Sequence, residues 1–343
     1  MSKTSQAEPN IIEQPIIKKK IEVKGGLTTT ALKMIAVIAM FIDHIGAFVV
    51  SRLISQGYFR TGIKLFSIGT INMTVERLVY YAIRAVGRIS FPLFCFFLVE
   101  GFFKTKSRAK YMIRLLIFAL ISEIPFKVAM EGLGGSFLHL ITPGNVMYTL
   151  FIGLAVIWSA ETLKKYVPGG FVAVCFRILV CLLPTAYVAY EIYYILCFSD
   201  DLAAQPFLFA QVWLGLAAAT LVATFIYGRL TSKENARAVS SSMSFLAMGM
   251  IIADLFGTDY SSVGVLVIFI MYVTYNRYKT FGRIAFSTIL TLNNYFELPV
   301  FFDIFLLSKY NGKRGKEWKY FFYIFYPAHL ALIVLVLYLT ELI

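Results

Sequence analysis

Within the apolar stretch ALKMIAVIAMFIDHIGAFVV, residues 31–50, stand three groups able to do chemistry: Lys33, Asp43 and His44. Imidazole is the side chain best suited to moving protons near neutral pH. Ionisable groups inside an apolar span are costly to hold there and mark substrate or proton paths. Lys33 and His44 are eleven residues apart. At about 3.6 residues per turn that is close to three turns, so both side chains share one face, about 16 Å apart along the axis. Neighbours on a helix point about 100° apart. Asp43 is therefore a poor direct partner for His44, and the group that sets the imidazole's tautomer is expected from another segment.

A second run opens Arg84-Ala-Val-Gly-Arg88-Ile-Ser-Phe-Pro92 and sets Arg84 and Arg88 at i and i+4, on one face. Arg84 reads as an interfacial anchor. Arg88 lies deeper and needs an anionic partner, for which Asp43 is the expected one. Pro92 removes a backbone bond and favours a kink; Arg88, or an N–H freed at that kink, could donate to an oxyanion. Glu100 closes this helix. Arg114 and Glu123 in the third run read as interhelical ion-pair formers, and Asn145 as a cap. His329 sits in Phe-Tyr-Pro-Ala-His-Leu early in the last run, where Pro327 frees carbonyls. His139 reads as a loop residue. Cys95, Cys175, Cys181 and Cys197 show no CxxC or paired loop spacing. They read as buried small hydrophobes, with neither disulfides nor a metal expected.

The elements that must position these groups are helices in a membrane. The 343 residues are 59% hydrophobic and only 15% charged, well below the roughly 25% of soluble domains. Apolar runs near 31–50, 84–103, 111–130, 145–163, 171–197, 206–228, 240–256, 261–275, 284–308 and 320–341 approach or exceed the roughly 20 residues that span a bilayer. The fold expected is all-α, a polytopic bundle of nine or ten spans including one broken run. Residues 1–26 form a polar tail and 27–343 one transmembrane domain. Lys and Arg fall in alternate gaps: five in the tail, five in 104–114, three in 229–239 and three in 276–284, against none in 131–144, 198–205 or 257–260. That pattern places the N-terminus and the basic gaps in the cytoplasm of a cell membrane, and it assigns the net charge of +13 to orientation, not to nucleic acid. The gap 51–83, with four basic residues, dissents and reads as a loop packed over the bundle. In the broken run, Asn293, Asn294, Glu297 and Pro299 interrupt two pieces, each too short to cross alone. A hairpin of half-helices is the preferred reading, because it returns the basic loop 309–319 to the cytoplasm and lines a cavity.

The blocks LKMIAVIAMFIDHIG, VGRISFPLFCFFLVEGFFKT, YMIRLLIFALISEIPF, NVMYTLFIGL, ADLFGTDYSSVGVL and YNGKRGKEWKYFFYIFYPAHL resemble, in order, those of the TraX family. That family is named for a conjugation protein associated with acetylating pilin N-termini. Lys33 and His44 also resemble the basic residue, ten-residue gap and histidine of type 3 membrane acyltransferases. The resemblance implies transfer of an acyl group from cytosolic acetyl-CoA, or another acyl-CoA, to an acceptor at the outer face. The acceptor would be a pilin-like peptide amine, a cell-wall sugar or an exported lipid. It implies His44, Asp43, Arg88 and His329 as catalytic residues. Lys33, Lys104, Arg114, Lys313 and Arg314 are implied as the donor's phosphate and anion contacts. The alternatives are a proton-coupled transporter and a non-enzymatic membrane component of a surface-assembly system.

Overall fold

The computed structural model describes residues 25–68, 71–132, 142–163, 171, 175, 178, 233–276, 278–316, 318 and 320–342. The tail to residue 24, most of the run 171–197, all of 206–228, and His139, Cys181 and Cys197 lie outside the described residues. α1 (Thr29–His44) runs through a π-helical segment (Ile45–Val50) into α2 (Ser51–Ser55). Strands β1 (Lys64–Ile68) and β2 (Ile71–Thr74) pair antiparallel. Then come α3 (Val75–Gly87), α4 (Ser90–Lys104), α5 (Arg108–Glu131), α6 (Val146–Leu163), α7 (Lys233–Leu255) and α8 (Ser261–Thr274). α9 (Lys279–Asn293), a 3₁₀ segment (Tyr295–Phe301), α10 (Phe302–Ser308) and α11 (Phe321–Leu339) complete the order. Among the described residues the fold is all-α apart from the small hairpin, which with α3 occupies the gap expected to be a loop.

Among the described residues, four helical stretches are long and apolar enough to cross a membrane: Thr29–Ser55, Val75–Lys104, Val146–Leu163 and Phe321–Leu339. The buried core lies along α4, α6 and α8, where Leu93, Phe102, Leu154, Ile157 and Ile268 are almost fully enclosed. α5 turns a stripe of Ile113, Ile117, Leu120, Ile121 and Ile124 outward, each about half exposed. Such a stripe at three- and four-residue spacing normally faces a core. Facing outward, it needs acyl chains as its solvent, and the chain is a helical membrane protein. Of the cysteines, Cys95 is buried as expected, whereas Cys175 is exposed.

Three local features shape the site. The break in the second run falls at Arg88–Ile89, not at Pro92; the proline sits in the first turn of α4, where no helical N–H is lost. The broken run is a hairpin. Tyr275, just after α8, and Tyr310, just after α10, both pack on Phe96 (centroids 6.1 and 5.5 Å), so the chain returns to the side it left. The returned loop caps α1: Thr29 and Thr30 N–H donate to the Lys313 and Arg314 carbonyls (2.9 and 3.1 Å), satisfying donors that a helix start leaves free. The start of α1 and the 309–316 loop thus share one face, called here the basic face.

α1 and α3 meet through glycines. A Cβ on Gly87 would lie 2.1 Å from Asp43 Cβ, and one on Gly46 would lie 2.7 Å from Ile83 Cγ2. Small residues allow such close crossings in membranes. Gly87→Ala is expected to push the helices apart, part Asp43 from its ion partner on α3, and cost about 1–3 kcal/mol. A fall in thermal midpoint in detergent, absent for alanine at the lipid-facing Ile121, checks this.

Candidate functional site

A cavity of about 760 Å³ opens among α1, α3, α4, α5 and α11, within the roughly 300–1,000 Å³ usual for small-molecule sites. At the basic face its wall holds Lys33, Arg114, Arg314 and Lys316, with Trp318 and Tyr320. Among the described residues its lining carboxylates are Asp43 and Asp259, at the deep end with His44, Arg84, Arg88 and Tyr260. Lys33 and His44 both line it, as their shared helical face requires. Beyond His44 the wall continues through Ala47, Tyr80 and Met130, the last at the far end of α5. The cavity is therefore polarised along the bundle, cationic at one mouth and mixed in charge at depth.

His44 is 8% exposed and ends α1 where the π-helical segment begins. Such segments often mark functional sites because the extra residue re-aims a side chain. Its Nδ1 lies 2.6 Å from His329 Nε2. The ring planes differ by 3° at 4.9 Å between centroids, so the imidazoles are near-coplanar and meet edge to edge. The hydrogen bonds assign the tautomers. His329 Nδ1 lies 2.7 Å from the Phe325 carbonyl, which can only accept. His329 therefore carries its proton on Nδ1 and offers a lone pair at Nε2. His44 must then donate from Nδ1, which leaves the lone pair of His44 Nε2 free on a ring that lines the cavity. The orienting partner expected from another segment is His329. Phe325 stacks on the His329 ring at 4.8 Å and fixes its plane.

The arginines pair otherwise than expected. Arg84, not Arg88, binds Asp43, Nη1 to Oδ2 at 2.5 Å. Arg84 lies within α3, alongside Asp43 on α1, and its guanidinium is taken up by that carboxylate. Arg88 lies past the end of α3 and turns instead to the hairpin, where Glu297 Oε1 takes its Nη1 at 2.7 Å and the Tyr260 hydroxyl lies 3.5 Å away. Asp43 is thereby a charge partner in the wall, not a neighbour of the imidazole. Arg114 and Glu123 do not pair. Glu123 Oε2 accepts from the Asn145 side chain at 2.6 Å, while Asn145 Oδ1 caps α6 by accepting Met147 N–H at 2.9 Å.

Two of the expected donor contacts stand apart from the cavity. Lys104 binds Glu100 one turn earlier at 2.7 Å. Lys313 is exposed and meets α1 through its backbone carbonyl. Lys33, Arg114 and Arg314 do line it, and Lys33 lies over the Phe97 and Phe322 rings at 5.3 and 5.4 Å. Lys316, Trp318, Asp259, Tyr260 and Glu297 were not among the site residues expected from the sequence. Glu297 carried a signal as the acid that, with Asn293, Asn294 and Pro299, interrupts the broken run; Asp259 carried only its place in a short polar turn after Gly257.

A family model described as TraX protein matches residues 28–198 and 173–337. The probable fimbrial assembly protein FimC, serogroup H1, of Dichelobacter nodosus is 35% identical over 127 residues, 36% of this chain and 42% of that protein. The similarity thus spans less than half of the relative's length. No solved structure matches. The family match runs from the start of α1 into the last turn of α11 and takes in His44 and its partner His329; the chain belongs to the TraX family.

Proposed function

We propose that this protein is a membrane acyltransferase that accepts an acyl group from acyl-CoA, acetyl-CoA being the simplest, at the basic face. The acyl group passes to an amine or hydroxyl acceptor reaching the cavity from the opposite face. The observation that carries the reading is that one cavity joins four cations to an imidazole whose tautomer is fixed with its lone pair free. The cations and their aromatic neighbours suit the phosphates and adenine of coenzyme A, and the continuation of the cavity to His44 suits its extended pantetheine arm. His44 Nε2 takes the acceptor's proton as nitrogen or oxygen attacks the thioester carbon, and returns it to the departing thiolate. Arg84 and Arg88 are the charged donors nearest the developing oxyanion. The distribution of Lys and Arg favours a cytoplasmic basic face in the cell membrane. The name of the fimbrial relative favours an acceptor destined for surface assembly, such as a pilin-like peptide; a cell-wall sugar or exported lipid would meet the same chemistry.

The hairpin and its buried ion pair are features shared with proton-coupled transporters, and the relative's name would also suit a non-enzymatic assembly component. Purified protein in liposomes, given radiolabelled acetyl-CoA and membrane extract, separates the three. Acyl transfer puts label into a discrete product that His44→Ala abolishes. Flux without a modified product supports transport, and neither outcome supports a scaffold. His329→Ala is expected to slow transfer about 10–100-fold, less than loss of His44, because it frees the imidazole to rotate without removing the base; rate measurements on the two single variants check the order.

A further inference from the structure

The turn between α7 and α8 is tightly held. Asp259 N–H donates to the Gly144 carbonyl (2.8 Å), Thr149 donates its hydroxyl to the Asp259 carbonyl, and Ser262 N–H donates to Asp254 Oδ1 (2.9 Å). So fixed, Tyr260 and Ser261 adopt φ values of +62° and +40°, a region non-glycine residues rarely enter. Backbone outliers of this kind persist where surrounding contacts over-determine them and cluster at functional sites. The Tyr260 ring is stacked on Phe91 at 3.7 Å, and the adjoining Asp259 lines the cavity with its side chain exposed. One of its oxygens accepts Tyr260 N–H at 3.1 Å. Among the described residues it has no ion-pair partner.

The charges around it cancel. Arg84 is matched by Asp43 and Arg88 by Glu297, and in the tautomers assigned above both imidazoles are neutral. The deep end is left with one unbalanced negative charge, at Asp259. A hydroxyl gains little from such a charge; an ammonium gains a full ionic hydrogen bond. An ammonium must also lose a proton before its nitrogen can attack, and His44 has only one lone pair to offer.

We propose that Asp259 is a further catalytic residue, the carboxylate that receives a primary ammonium group of the acceptor and removes its first proton. The proposal rests on the acyl-transfer reading above. The ammonium gives one proton to the Asp259 carboxylate and becomes an amine. The amine nitrogen bonds to the thioester carbon as its second proton passes to His44 Nε2. The carbon–sulfur bond breaks, the thiolate takes that proton from His44, and Asp259 releases its own to water. The sum is ammonium plus acyl thioester giving amide, thiol and one proton.

The Asp259 side chain is exposed by surface area, yet the protein around it pushes its carboxyl up to about 6, with Arg88 and Arg84 opposing and Asp43 adding to the shift. The groups facing it are Asp43 from α1, Arg84 and Arg88 from α3 and its end, Glu297 from the hairpin, Tyr326 from α11 and the adjoining Tyr260. The carboxylate is the working form, so transfer to an amine rises with pH through about 6 and then levels.

The test uses liposome-reconstituted protein, acetyl-CoA and two probes: a short peptide with a free N-terminal amine, and the same peptide with hydroxyl in place of that amine. Asp259→Asn keeps an acceptor for Tyr260 N–H, so the turn is retained. It is expected to lower kcat/KM for the amine peptide about 100-fold, to change the hydroxyl peptide less than threefold, and to remove the pH limb near 6. Asp259→Glu is expected to restore part of the rate and the limb. Equal losses with both peptides, or an unchanged amine rate and pH profile, overturn the role of Asp259 and leave acyl transfer standing. Wild-type silence with both peptides counts against acyl transfer itself, and undiminished transfer by His44→Ala overturns His44 as its base.

Discussion

His44→Ala is expected to lower the rate of acyl transfer by about 10²–10⁴-fold, the range a positioned general base supplies. Among the described residues His44 is the lining imidazole, and its lone pair is oriented toward the deep end; water in the vacated space has neither the basicity nor the orientation. The substitution also leaves His329 Nε2 without its donor, and an unsatisfied buried acceptor costs about 1–3 kcal/mol. Rate and stability must therefore be measured together. Gln, which fills the space and offers a donor, is the fitting control: it should recover stability without recovering rate. His44 and His329 act in series, so the double variant is expected to be little slower than His44→Ala alone. Additive losses would mean that the histidines serve separate steps.

Glu297→Ala is expected to give the largest loss of stability, about 3–5 kcal/mol, since it strands the Arg88 guanidinium in the protein interior. Arg88 and Glu297 have side-chain exposures of 15% and 5%, so solvent cannot take over the partner's role. Because the pair joins the end of α3 to the apex of the hairpin, its loss should free residues 294–301 as a unit. Thermal unfolding in detergent measures the first effect, and amide exchange confined to the hairpin and the end of α3 the second. Replacing both by apolar residues of similar volume should restore much of the stability, as buried ion pairs can often be replaced without net loss, while activity stays low because the Arg88 charge is gone. Destabilisation by the double change as large as by Glu297→Ala would show that the pair holds the hairpin by more than charge compensation.

Much of the architecture was legible because hydrophobic length and helical period are local properties. Lys33 and His44 share a wall because eleven residues make three turns, and the hairpin followed from Asn294, Glu297 and Pro299 interrupting a run whose charges demanded a return. Pairings across the bundle were not legible. Arg88 was expected to take Asp43 and Arg84 to serve as an anchor; that Arg84 takes Asp43 instead depends on a break at Arg88–Ile89 that leaves no trace in composition. Pro92 suggested a kink one turn too late, because a proline in the first turn disturbs nothing. The π-helical segment after His44 breaks no residue preference, so sequence read a plain helix through it. Asp259 escaped notice because an acid in a polar turn ordinarily faces water, and only the turn's fixation to α6 directs it into the cavity.

The most direct measurement of the central claim, that the donor's acyl end reaches His44 from the cationic mouth, is photocrosslinking with a diazirine-bearing acyl-CoA analogue followed by peptide mapping. The expected result is label on the walls flanking His44, at Ala47 and Phe48 or Met147 and Leu150. Free coenzyme A should suppress it, and reversing the charges of Arg314 and Lys316 should weaken it. Label confined to the outward stripe of α5, or label at the cavity indifferent to coenzyme A, would contradict the claim.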